Sequence, residues 1–184
     1  MVVNGSATIP APAQHQSAQA KAWALAATVT DPEIPVLTIE DLGILRAVDL
    51  VDCGAITPTV RVTITPTYSG CPAMDAIRDD LKSAFSKAGY PSLDVRLVLS
   101  PAWTTDWMSA AGRTKLAAYG IAPPTGKTAN GFTQAGPIRL QLAVKCPQCS
   151  SLNTKELSRF GSTSCKALYV CKDCAEPFDY FKVL

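Results

Sequence analysis

The spacing of apolar residues predicts alternating helices and strands over the first two thirds of the chain. Strong helix formers fill residues 17–29, and Asp31-Pro32 ends that helix because the residue before a proline avoids the helical region. Further apolar patterns predict a hairpin over 45–51 and 60–64, a helix through Ala73, Ile77, Leu81, Ala84 and Ala88, a strand over 95–99 and a helix over 106–119. The predicted order is α-β-β-α-β-α, an α+β fold with a small α/β sandwich.

Composition divides the chain into four parts. Residues 1–16 are rich in Ala, Pro and Gln and carry no charge, which predicts a disordered leader. The sandwich takes residues 17–122, and a linker rich in turn formers takes residues 123–138. The remaining residues, 139–184, hold five of the seven cysteines and predict a small β-rich domain.

Several functional classes are excluded by composition. The chain of 184 residues has a net charge of +2, and its longest early apolar run, 24–27, is far too short to span a membrane. Residues 1–6 form neither a basic n-region nor an apolar h-region, so we expect no secretory signal and a cytoplasmic protein. The single histidine, His15, excludes Ser-His-Asp and HExxH chemistry. Gly126-Lys127-Thr128 is similar to a phosphate-binding loop, but Ile121 replaces the glycine that such a loop requires.

Two CxxC pairs in the last part predict a four-cysteine metal site. The spacing suits a hairpin that brings four thiolates onto one ion, and so short a domain needs the metal in order to fold. Structural zinc is the favoured ion, and an iron-sulfur cluster is the alternative. The predicted ligands are Cys146, Cys149, Cys171 and Cys174. Cys165 is a possible replacement ligand, a cap on the site or a separate buried or free thiol.

The charge of the cysteine-rich domain argues against nucleic-acid binding. Seven basic and four acidic residues follow position 138, and four thiolates on Zn²⁺ contribute two negative charges, so little positive charge remains. Phe178, Tyr180 and Phe181 either contact a protein partner or fill the small core of this domain.

A sixth cysteine, Cys71, stands in the turn before the long amphipathic helix. Pro72 suits the first helical position, so we expect Cys71 at the N-cap, where unpaired amide groups favour a thiolate. The alternative is a small, partly buried cysteine without function. Asp31 and Glu33 form an acidic loop that either approaches this thiol or caps helices.

These motifs together resemble a known family. The segments Asp31-Pro32-Glu33-Ile34-Pro35, Asp41-Leu42-Gly43-Ile44 and Thr67-Tyr68-Ser69-Gly70-Cys71-Pro72 are similar to the MIP18-like domain (domain of unknown function 59) of iron-sulfur cluster assembly factors. Trp103-Thr104-Thr105-Asp106-Trp107-Met108 and the cysteine-rich ending narrow the resemblance to the PaaD family, whose members belong to the phenylacetyl-CoA epoxidase system. Tyr68 departs from the domain's pattern, which often has a small hydroxyl residue there.

The resemblance implies a maturation role in aerobic phenylacetate degradation rather than catalysis. By this resemblance Cys71 is the reactive cysteine, Asp31, Glu33 and Thr67 are its acidic and hydroxyl neighbours, and iron or an iron-sulfur cluster is held transiently. The implied partners are the oxygenase and reductase components of the epoxidase, with a homodimer as a further possibility. A non-catalytic adaptor that handles no iron is the alternative function, and a thiol-dependent enzyme is a third, weakened by the lack of a nearby histidine.

Overall fold

The computed structural model describes residues 12–51, 59–125 and 144–183, with backbone only for residues 12–15. Within these ranges the predicted order of elements and the predicted α+β fold class are confirmed. The elements are α1 (Pro12–Ala26), β1 (Leu45–Val51), β2 (Thr59–Ile64), α2 (Ala73–Lys87), β3 (Leu93–Leu97), a 3-10 turn (Thr105–Trp107), α3 (Ala110–Ala118), β4 (Thr154–Ser158), β5 (Lys166–Cys171) and β6 (Pro177–Phe181).

The first sheet has the order β1-β2-β3. β1 and β2 pair antiparallel, whereas β3 runs parallel to β2, with α2 as the crossover between them. Alternate residues of β2 face the core, because successive side chains on a strand point to opposite sides. The apolar residues of α2 share one face of the helix, and this face packs on the buried side of β2. The fully buried members of this contact include Val60, Val62, Ile64, Ile77, Leu81 and Phe85.

Two helices differ from their predicted bounds. α1 begins at Pro12, before the predicted start at residue 17, because a proline fits the first turn and Ala and Gln sustain a helix without an apolar stripe. The predicted helix over 106–119 is interrupted at Met108, whose backbone is extended. α3 then starts behind Ser109, whose hydroxyl accepts a hydrogen bond from the Gly112 N–H at 2.8 Å.

The cysteine-rich part forms an antiparallel sheet with the order β4-β5-β6. This sheet packs against the first domain. The Ala122 N–H donates to the Asp179 carbonyl at 2.8 Å, and the Phe181 N–H donates to the Ala122 carbonyl at 2.9 Å. The Phe181 ring lies 6.1 Å from that of Trp103, inside the apolar core of the first domain. The two parts therefore share a core, which the sequence analysis did not predict.

Phe178 and Phe181 are buried and fill core space, which decides against their role as an exposed contact surface.

Most of the predicted linker, including Gly126-Lys127-Thr128, and Cys53 lie outside the described residues. Among the described residues, no helix combines the length and the apolar character needed to cross a membrane.

Candidate metal and thiol sites

The four cysteines predicted to bind metal lie together at one end of the second sheet. Their sulfur atoms are all within 4.8 Å of one another, with 3.8 Å between Cys146 and Cys174 and 3.5 Å between Cys149 and Cys171. Sulfurs arranged tetrahedrally around zinc at about 2.3 Å are separated by about 3.8 Å, so the donor set fits this ion. Cys165 is not a member of this cluster.

Each CxxC pair is followed by a residue in the left-handed backbone region. Ser150 follows the second cysteine of the first pair with φ of 65°, and Ala175 follows that of the second pair with φ of 61°. These turns aim backbone N–H groups at the sulfurs. The N–H groups of Cys174 and Asp173 lower the pKa of the Cys171 thiol to about 7, which favours the thiolate that a metal requires. The neighbouring sulfurs act in the opposite direction on the other thiols: they raise the pKa of Cys149 to about 12 and, together with burial, raise that of Cys174.

Side-chain hydrogen bonds also connect the turns that carry the two CxxC pairs. Asp173 accepts hydrogen bonds from the Ser151 hydroxyl and, at 2.7 Å, from the Asn153 side-chain amide. The Ser151 hydroxyl in turn accepts from the Asn153 N–H at 2.9 Å. Such outer contacts fix the ligand-bearing turns in place.

Cys71 ends a tight turn that connects β2 to α2. The Cys71 N–H donates to the Tyr68 carbonyl at 3.3 Å, and Gly70 has φ of +86°, a conformation that favours glycine in the third position of such a turn. The N-cap of α2 is Pro72, so Cys71 lies one residue before the predicted cap position. The side chain of Cys71 is half-buried.

The surroundings of Cys71 correct the expectation of a thiolate. Burial raises the pKa of the Cys71 thiol, and the negative charges of Glu33 and Asp31 raise it further. Hydrogen bonds from the Ala73 N–H and the Thr67 hydroxyl lower it but do not overcome these effects. The helix-end argument was right about the donors and wrong about the net result, because it left out burial and the two carboxylates.

The structure brings the predicted acidic loop next to Cys71, with a different arrangement for each carboxylate. Asp31 is buried, and its Oδ1 accepts from the N–H groups of Glu33 at 2.9 Å and Ile34 at 2.8 Å, which shapes the loop. Glu33 is half-buried, and its pKa is raised by burial and by the charge of Asp31.

Asp41, from the same acidic stretch of sequence, contacts α3 and the residue before it. Its Oδ2 accepts from Lys115 Nζ at 2.5 Å and its Oδ1 from the Ser109 hydroxyl at 3.1 Å, so it joins the loop to α3. The Lys115 and Ser109 contacts lower the pKa of Asp41 against the opposing effect of burial. This carboxylate is part of the scaffold of the first domain.

Residues 163–166 of the second domain also reach the Cys71 neighbourhood, which the sequence analysis missed. The Tyr68 hydroxyl hydrogen-bonds the Ser164 side chain, and Lys166 interacts electrostatically with Asp31 and Glu33. Lys166 is 4% exposed, so this cation is buried beside the two carboxylates. The only sign of this contact in the sequence is Cys165-Lys166, a cysteine outside the CxxC spacing followed by a lysine.

Two family matches agree with these two sites. Residues 19–89 match the family described as iron-sulfur cluster assembly protein, and residues 133–182 match the PaaD zinc beta ribbon domain. A solved structure of a domain of unknown function DUF59 from Bacillus anthracis is similar, with a TM-score of 0.52 and 25% identity, over 58% of this chain and 97% of that one. Fold and site thus define an iron-sulfur assembly domain followed by a zinc ribbon.

Similarity over nearly the whole chain identifies the family. The chain is 44% identical over 97% of its length, and 98% of the relative's, to an Escherichia coli protein named as a component of "Putative 1,2-phenylacetyl-CoA epoxidase". It is also 38% identical, over 48% of its length and 81% of the relative's, to an Fe-S protein maturation auxiliary factor of Porphyromonas gingivalis. The chain belongs to the PaaD family of phenylacetyl-CoA epoxidase components.

Proposed function

We propose that this protein is an accessory maturation factor of phenylacetyl-CoA epoxidase that assists the assembly of iron or an iron-sulfur cluster through Cys71. It acts in aerobic phenylacetate degradation as a carrier and not as an enzyme. The observation that carries the proposal is the half-buried Cys71 thiol, with Thr67 and Glu33 around it, in a segment similar to iron-sulfur assembly proteins.

Each neighbour of the thiol has a distinct role in this proposal. Metal binding displaces the Cys71 proton to solvent, and the Thr67 hydroxyl and Ala73 N–H then stabilise the bound sulfur. Glu33 supplies a carboxylate oxygen, whereas Asp31 holds the loop because its Oδ1 is occupied by two backbone N–H groups. The raised pKa of Cys71 keeps the thiol neutral at rest, which suits a site that loads and releases its cargo.

One protein thiolate cannot complete a cluster. In a transfer step the further ligands come from the client, which is the oxygenase or reductase component of the epoxidase, or from a second copy of this chain in a homodimer. The ribbon holds structural zinc through Cys146, Cys149, Cys171 and Cys174 and takes no part in the transfer.

The test is to produce the epoxidase components together with unaltered protein or with the Cys71→Ser variant. We expect the iron content of the purified epoxidase to fall with the variant, whereas Cys53→Ser, the control for removal of a cysteine, leaves it unchanged. Equal iron content with Cys71→Ser, at equal amounts of both accessory proteins, contradicts the proposal.

Equal iron content with Cys71→Ser supports the alternative function, an adaptor that handles no iron. The observation that favours the adaptor is an exposed set of apolar side chains on the ribbon, Leu152, Leu157 and Phe160, which are 60%, 53% and 66% exposed. Under this alternative, replacing Phe160 with Ser lowers co-purification with the epoxidase, and the Cys71→Ser change has no effect on either readout.

A further inference from the structure

The strand β3 forms an open edge of the first sheet. Among the residues that the structure describes, β3 pairs with β2 on one side and with no strand on the other. Two apolar side chains at its carboxyl end are exposed, Leu97 at 38% and Leu99 at 56%. An open strand edge presents backbone groups that can pair with another strand, so this edge is a candidate interaction surface.

The hydrogen bonds of β3 show which of its backbone groups point to the open edge. The Val60 N–H donates to the Ser92 carbonyl at 3.1 Å, and the Val98 N–H donates to the Ile64 carbonyl at 2.9 Å. Even-numbered residues of this segment therefore bond to β2, because hydrogen bonding to one neighbour alternates along a strand. The N–H and carbonyl groups of the odd-numbered residues in β3 point away from β2, to the open edge.

The side chains of β3 are arranged symmetrically about its central residue, Val95. Leu93, Val95 and Leu97 are the partners of three buried β2 residues, so they lie on the face that is covered by α2. Asp94 and Arg96 lie on the other face, where Arg96 Nε donates to Asp94 Oδ2 at 3.0 Å. The strand thus carries apolar residues at its centre and at both ends, with one acidic and one basic residue between them.

A second copy of this chain fits the open edge in one register. When two β3 strands pair antiparallel about Val95, residues with outward backbone groups lie opposite each other and exchange their hydrogen bonds. Asp94 of one copy then lies opposite Arg96 of the other, and twofold symmetry repeats this contact. A centre at position 94 or 96 instead places like charges opposite each other, which is unfavourable.

The same register gives the exposed leucines a place to pack. A groove of about 390 Å³ lies between the end of α2 and the start of β3, and it is lined by Lys82, Ser86, Gly89, Tyr90, Pro91 and Leu93. In the register about Val95, Leu97 of the second copy lies opposite Leu93, and Leu99 of the second copy falls beside Pro91. Both leucines therefore meet the apolar side of this groove.

We infer that two copies of this chain associate through β3, antiparallel about Val95, to form one continuous sheet with the order β1-β2-β3-β3-β2-β1. With five residues of β3 on each side, the contact lies at the small end of protein interfaces, so the dimer dissociates on dilution. The inference goes beyond the proposed function and uses none of the residues around Cys71. The two β2 strands of this dimer run in opposite directions, which puts the Cys71 turns that follow them at opposite ends of the sheet.

The experiment is sedimentation velocity of the zinc-loaded full chain across a wide range of concentration. We expect a monomer–dimer equilibrium that Arg96→Asp weakens at least about tenfold, because two attractive charge pairs become repulsive. Asp94→Arg should act in the same direction. Lys155→Asp, an exposed charge reversal on the edge strand of the second sheet, is the matched control and should leave dimerisation unchanged. Circular dichroism shows that each variant folds.

Combined variants test the register itself. A mixture of Arg96→Asp chains with Asp94→Arg chains should form a heterodimer, because each charge again lies opposite an unlike one. The double variant with both changes in one chain should recover self-association for the same reason. If the single variants are folded and neither combination restores association, the inference is wrong.

Other outcomes assign the edge differently, and each of them overturns the inference. These are a chain that stays monomeric at every concentration, a dimer that Arg96→Asp leaves unchanged, and a dimer that Lys155→Asp weakens instead, which places the contact at β4. A monomeric chain whose Arg96→Asp variant co-purifies less with the epoxidase components assigns the edge to a strand of the client. None of these results changes the iron content of the epoxidase, which is the readout for the proposed function.

Discussion

The two thiol regions of this molecule differ in the number of sulfur atoms that they bring together. The ribbon brings the sulfurs of four cysteines within 4.8 Å of one another. Cys71 is not part of such a cluster, and burial and the Glu33 and Asp31 carboxylates raise the pKa of its thiol. Four protein ligands close a metal site permanently, whereas fewer protein ligands leave positions open for exchange. In the proposed function the same side chain therefore serves structure in one region and transfer in the other.

The largest expected effect comes from opening the closed site. Cys174→Ser removes one of four zinc ligands, and zinc binding supplies on the order of 10 kcal/mol in small domains of this kind. We expect loss of zinc and unfolding of β4–β6, measured as zinc per chain and by circular dichroism. Cys165→Ser is the control and should keep its zinc, because Cys165 lies outside the cluster. Zinc retained by Cys174→Ser but lost from Cys165→Ser would reverse the ligand assignment.

A smaller effect is expected from separating the two regions. Phe181→Ala and Phe178→Ala each remove a buried ring, at a cost of about 3–5 kcal/mol. Phe181 packs in the core of the first domain, whereas Phe178 packs in the core of the ribbon. Hydrogen exchange of β2 should therefore accelerate in Phe181→Ala and stay near normal in Phe178→Ala. Equal protection of β2 in both variants would show that the domains do not share a core.

The smallest effect concerns the ionisation of the open site. Since the Cys71 pKa is raised, mainly by burial and then by the carboxylates, ionising this thiol disfavours the folded state, and stability falls as pH rises past the thiol's ordinary value of 9.0. Glu33→Gln removes one negative charge and lowers the Cys71 pKa. Alkylation of Cys71 at neutral pH, followed by peptide mass spectrometry with the ribbon zinc-loaded, should become roughly a few-fold faster. Asp79→Asn is the control and should leave the alkylation rate unchanged. The same unchanged rate in Glu33→Gln would show that the Glu33 charge does not act on the Cys71 thiol.

How much the sequence could predict depended on how far apart in the chain the interacting residues lie. The CxxC pairs and the apolar periods are local patterns, so they predicted the metal ligands and the order of elements. The packing of Phe181 on Trp103 joins residues distant in the chain, and no periodicity signals it. The same holds for Cys165, whose burial in the core of the first domain depends on how the ribbon docks. The N-cap argument for Cys71 considered its own helix alone and did not include the charge of Glu33, although the acidic loop was expected either to approach this thiol or to cap helices.

The most direct test of the contrast between a closed and an open site is metal content after anaerobic purification. Zinc and iron are measured per chain for the unaltered protein and for Cys71→Ser. The account predicts about one zinc in both proteins, and iron or cluster absorbance in the unaltered protein alone. Equal iron in both proteins would contradict it, because the iron would then be bound by the ribbon cysteines and not at Cys71.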